Sequence, residues 1–149
     1  VTYDSPIDVL SVVKEVSNLA QVCTQSGGLR PFGVGLLIAG IDNEAKLFET
    51  DPVGIYFQYY ATAIGFGSDE IKQLLHKGYK KDIKFDEAVK LGLDSMKKVL
   101  DEEFDLNKIE CVVIKEKEKK YKKIGTEELK KIIGKKAEVF EIANKEYKE

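Results

Sequence analysis

The amino-acid sequence predicts an α+β protein in which strands and helices are grouped, not alternated. Three observations carry this reading. An opening segment places Leu10, Val13, Val16, Leu19 and Ala20 at one-sided helical spacing. A glycine-framed apolar ribbon, Phe32 to Ile41, is followed by two more strand-like segments across short turns. A long amphipathic helical pattern then precedes two further strands and a last helix. Grouped elements of this kind build layers, whereas alternation would build a parallel sheet from βαβ units.

The elements follow in order. Ser5, Pro6 and Asp8 supply a cap, a proline at the first helical position and an acid in the first turn, so a helix is expected from Pro6 to about Gln25. Gly27 and Gly28 close it. The run from Phe32 to Ile41 has no polar face, which reads as a strand buried on both sides and central to its sheet. Asp42-Asn43-Glu44 turns the chain into a short strand, Lys46 to Thr50. Asp51-Pro52-Val53-Gly54 turns it again into Ile55 to Ile64, rich in aromatic and β-branched residues. Three strands on short turns make an antiparallel meander. Ser68 is read as the cap of a helix that ends at Gly78, and Phe85 to Leu100 is a longer helix with acids early and lysines late, as the helix dipole favours. Ile109 to Ile114 and Lys119 to Ile124 read as a hairpin. Thr126 opens a last helix that breaks or ends near Gly134, and Ala137 to Glu149 is helical by pattern but highly charged.

Composition narrows the function. The chain has 149 residues, enough for one domain or a large piece of one, and 43% hydrophobic content supports a core. The 24 basic and 26 acidic residues nearly cancel, so no global field favours nucleic acid or an anionic membrane. No run approaches the ~20 apolar residues of a membrane span, and Asp8, Lys14 and Glu15 interrupt the first apolar stretch where a signal peptide would be. Cys23 and Cys111 lie in apolar or helical surroundings and are expected to be reduced, buried thiols. The chain opens at Val1 directly on a turn-and-helix signal without an initiator Met, as a fragment or processed product does.

Residues able to do chemistry are few. His76 is the single histidine and sits at a helix end, where it favours the helix carbonyls. With two distant cysteines it makes neither a zinc site nor a nucleophile–base pair. Asp101, Glu102 and Glu103 are adjacent, point in different directions on a helix, and read as a solvated helix end. Gly65 and Gly67 give half of a dinucleotide fingerprint, but Glu70 stands at the third glycine and no βαβ unit follows. Lys115 to Lys123 is basic with one aromatic; it reads as an exposed hairpin that lysines guard against edge pairing, not as a nucleic-acid site. Tyr56, Phe57, Tyr59 and Tyr60 should divide between core and a neighbour or solvent, since alternate strand residues face opposite ways. No catalytic, cofactor-binding or metal-binding residue is predicted, and no cofactor.

Four segments resemble one family. Arg30-Pro31-Phe32-Gly33-Val34, preceded by Thr24-Gln25-Ser26-Gly27-Gly28, is similar to a strand and its leading loop in proteasome alpha-type subunits. Leu47-Phe48-Glu49-Thr50-Asp51-Pro52-Val53-Gly54 resembles the turn after it, with Val53 where the family usually has Ser. Ala61-Thr62-Ala63-Ile64-Gly65-Phe66-Gly67-Ser68 resembles the entry to the next helix, and Thr126-Glu127-Glu128-Leu129 the start of the last one. Their order and spacing match the C-terminal part of a family member. Val16 to Ala20 and Lys98 to Glu103 lean toward the fifth, zeta type.

The resemblance implies a four-layer αββα sandwich of the N-terminal-nucleophile hydrolase kind, with residues 1–149 as the C-terminal part of a single domain. It implies a non-catalytic subunit of a threonine-protease complex, cytoplasmic and nuclear, serving ubiquitin-dependent protein degradation. Its partners would be neighbouring alpha subunits, the beta subunits of the adjacent ring, and regulatory particles or activators, with neither nucleic acid nor membrane among them. The first helix would face the beta ring and the helices at Ser68, Phe85 and Thr126 the opposite side. Active relatives use an N-terminal threonine whose own amine is the base; here Thr2 is second and cannot do this. The strands counted above are too few for two stacked sheets, so a large apolar face should stay open.

Overall fold

A computed structural model describes residues 7–134. Its elements run α1 (Val9–Gln25), β1 (Leu36–Ile41), β2 (Ala45–Thr50), β3 (Tyr56–Tyr59), α2 (Ser68–Gly78), α3 (Phe85–Leu100), β4 (Cys111–Ile114), β5 (Tyr121–Ile124) and α4 (Thr126–Gly134), with two short 3-10 turns between α3 and β4. This is the predicted order, and the class is α+β. Ser5, Pro6 and the charged segment from Ala137 lie outside the described residues. The chain forms two compact units, one from residues 7–60 and 114–120, the other from 61–113 and 121–134.

In the first unit α1 lies on one face of an antiparallel meander ordered β1-β2-β3. Register pairs Ile38 with Phe48 and Phe48 with Gln58, so Ile38, Phe48 and Tyr56 share the helix-facing side. There Val9, Val13 and Phe48 form the core, and the Tyr56 ring meets Phe48 edge-on at 6.2 Å between centroids. Gly40 is required at the crossing: a Cβ on it would stand 2.7 Å from Val9 Cγ2.

Asp8 caps α1, its carboxylate accepting the Ser11 amide at 2.9 Å. It is the cap itself and not the first-turn acid expected from the sequence. A second carboxylate reaches the same helix end from the β1–β2 turn. Asp42 Oδ2 accepts the Val9 amide at 3.3 Å and the Lys46 ammonium at 3.0 Å, while Oδ1 accepts the Asn43 amide at 2.6 Å. The Asp42 backbone carbonyl accepts from Lys119 Nζ at 2.7 Å. These bonds, Lys46 first, hold the Asp42 carboxyl well below its ordinary value of 3.8. A depressed folded pKa contributes stability that is fully present above that ordinary value and shrinks as the pH falls below it. Acid titration followed by circular dichroism should therefore show a steep loss of structure below about pH 4, and Asp42→Asn should flatten that limb while lowering stability at neutral pH. An unchanged acid limb in the variant would contradict this role.

Two expectations about the apolar ribbon are corrected. Only Leu36–Ile41 is strand; Phe32 and Val34 lie in the preceding loop, and Phe32, Val34, Leu36 and Leu37 are all exposed. The strand is an edge, not the centre, because β2 occupies the middle of the meander. Among the described residues nothing pairs with the outer side of β1, which carries no lysine, proline or bulge to blunt it. The buried stripe of α1 is also rotated from the predicted one. It runs Val9, Val13, Ser17, Ala20, Cys23, with Leu19 exposed. The β2–β3 turn approaches the helix at the Ser17 carbonyl, and Ser17 is buried there.

In the second unit α3, α4 and the β4–β5 hairpin enclose Leu93, Ile124 and Leu129, with Val89, Ile109, Cys111 and Val113 around them. Cys111 and Val113 point inward and Val112 and Ile114 outward, the alternation of a half-buried strand. α3 begins where predicted, with Glu87 Oε2 accepting the Lys84 amide at 3.4 Å. Its end is marked by Asp101 at φ 44°, a conformation that favours glycine. Lys90 Nζ donates to the Ile133 carbonyl at 3.2 Å and so satisfies an end group of α4. Gly78 ends α2 against α3, where a Cβ would meet Leu91 Cδ1.

Candidate functional site

The motifs singled out in the sequence prove to be architectural. In the β2–β3 turn the Asp51 carboxylate accepts the Val53 amide at 2.9 Å and the Ile55 amide at 2.8 Å, and the Gly54 amide donates to the Asp51 carbonyl at 3.2 Å. The turn is therefore closed by Asp51, and the side chain at position 53 is not needed for it. Gly54 has φ +92°, and a Cβ there would lie 2.5 Å from the Ser17 carbonyl oxygen and 3.1 Å from the Gln21 nitrogen. Only glycine can bring this turn so close to the α1 backbone.

The second motif behaves alike. Gly65 and Gly67 both have positive φ, 95° and 69°, and the Ser68 amide donates to the Gly65 carbonyl at 3.2 Å. Gly67, not Ser68, is the residue before the helix, and Ser68 is its first residue; the left-handed geometry at that point admits glycine where serine was expected. A Cβ on Gly67 would collide with Val99 Cγ1. Both glycines turn the chain, and Gly67 also fits it closely against α3. Phe66 between them is 86% exposed.

The remaining candidates stay apart. His76 is in the last turn of α2. Asp101, Glu102 and Glu103 are exposed on a 3-10 turn, as a solvated helix end should be. Val1 and Thr2 lie outside the described residues. Among the described residues no three of His, Cys, Asp and Glu gather to hold a metal ion, and no helix is long and apolar enough to cross a membrane. The lysine-rich segment forms the exposed hairpin tip: Lys115 faces Glu118 at 3.5 Å, Lys122 faces Glu128 at 3.7 Å, and Lys123 pairs with Glu110.

Both cysteines are free. Cys23 is buried as expected, but Cys111, at the start of β4, is only half-buried. Burial first, and Glu128 second, push its thiol up. At pH 8 Cys111 should react with iodoacetamide several-fold more slowly than glutathione, and Glu128→Gln should narrow the gap. Reaction as fast as glutathione would refute this environment.

What the first unit does present is surface. The sheet side away from α1 carries Leu37, Ala39, Leu47, Phe57 and Tyr59. Of these Leu37, Phe57 and Tyr59 are exposed, Phe57 by 60%, and Tyr60 just beyond β3 is exposed as well. The strand aromatics thus divide as alternation predicts, Tyr56 to the core and Phe57 to the open side. Leu19 and Val22 add exposed apolar residues on α1. Leu37, Phe57 and Tyr59 lie on one side of the sheet, whereas Leu19 and Val22 belong to the helix on its other side.

Comparison with known proteins places the chain among relatives. A proteasome subunit of Methanocaldococcus jannaschii, named alpha, is 44% identical over 135 residues, which is 90% of this chain and 51% of that protein. The alpha subunit of Archaeoglobus fulgidus is 43% identical over 129 residues, 87% of this chain and 52% of that one. The alpha subunit of Pyrococcus abyssi is 39% identical over 148 residues, 97% and 56% respectively. The chain thus spans about half the length of the curated relatives it matches, and their names specify no subtype. The general profile of proteasome subunits matches residues 1–114, from before α1 to the end of β4. On that match over most of its length, carried by an α+β fold present in part, the chain belongs to the proteasome subunit family.

Proposed function

We propose that this chain is the C-terminal part of an alpha-type proteasome subunit, a single domain here represented by its second half, and that its work is non-catalytic. The observation that carries the reading is the use made of the family-like residues. Asp51, Gly54, Gly65 and Gly67 are all spent on turning the backbone and seating it against helices. They build a scaffold and bring no nucleophile to a base. The alpha names of the relatives support the same reading.

On this reading the chain supports assembly of an alpha ring, beside other alpha subunits and on beta subunits, with a substrate gate and an activator-docking face. The open sheet side is the face that a second sheet would cover in a four-layer sandwich. The finer parts of the reading rest on family resemblance: a zeta-type identity, a ubiquitin-dependent role, and cytoplasmic and nuclear location.

The test uses the full-length subunit. Alone it should be inert toward fluorogenic peptides, and with a beta-type partner it should co-migrate in a particle of several hundred kilodaltons. Peptide cleavage by the isolated subunit would overturn the non-catalytic reading in favour of a threonine-type peptidase. Migration only as a small particle would overturn ring assembly.

A further inference from the structure

We draw no further inference here: the strongest candidate, the uncovered apolar side of the β1–β2–β3 meander around Leu37, Phe57 and Tyr59, belongs to the partial domain already described, and nothing in the structure shows what else covers it.

Discussion

Phe48→Ala is expected to destabilise the first unit by about 3–5 kcal/mol, the usual result of deleting a buried aromatic ring. Phe48 is 4% exposed and stands where the sheet meets the helix. It shares one core with Val9 and Val13 of α1, against which Ile38 of β1 and Tyr56 of β3 pack. Its removal leaves a cavity between helix and sheet, which approach closely nearby, where Gly40 lies under Val9 and Gly54 under the Ser17 carbonyl. Edge-on contact with Tyr56 is lost as well. Set against a typical total of about 5–15 kcal/mol, this is enough to unfold a marginal unit. The measurement is urea unfolding followed by circular dichroism in the full-length subunit. Phe48→Leu, which keeps most of the volume, should recover more than half of the loss. A Phe48→Ala midpoint equal to that of the parent protein would show that the helix–sheet contact is not where this unit's stability lies.

Leu129→Ala is expected to cost about 2–5 kcal/mol in the second unit. Leu129 is fully buried, and with Leu93 and Ile124 it ties α4 to α3 and to the hairpin. The neighbouring half-buried residues Leu106, Ile109 and Val113 would each lose a partner. The described part of α4, Thr126–Gly134, depends on that packing, since helices in proteins owe most of their stability to burial of an apolar face. Hydrogen exchange should therefore show the amides of α4 losing protection before those of α3. Ile133→Ala, on a half-buried position of the same helix, should cost less. Equal protection of α4 in parent and Leu129→Ala proteins would refute the assignment.

Much of the fold was legible because local signals and tertiary use agreed. α3 was readable to its end residues, with its acids first, lysines last, and one apolar side. The turns were readable from Asp51, Pro52 and Gly54, and from Gly65 and Gly67, whose backbone angles few other residues adopt. What sequence could not deliver was which elements lie beside each other. The ribbon after Arg30 has the composition of a strand buried on two sides, yet Phe32, Val34, Leu36 and Leu37 are exposed, because composition does not say which elements pack against a strand. The stripe of α1 was rotated about the helix axis because Ser17 counts as polar in any pattern, while it lies buried beside Gly54, 37 positions later. The cap at Asp42 was invisible for the same reason: a carboxylate in a turn announces the turn, not the distant amide it also receives. The open sheet side followed from a count of strands.

The bare outer flank of β1 has a consequence for the protein's life in a cell. A flat row of unsatisfied amides and carbonyls recruits whatever extended chain it meets, and the six residues of β1 offer nothing to repel a newcomer. Left uncovered, this edge would give another extended chain a place to pair, and so a route toward fibres. The lysine-studded hairpin tip, by contrast, could be cut with little harm of that kind.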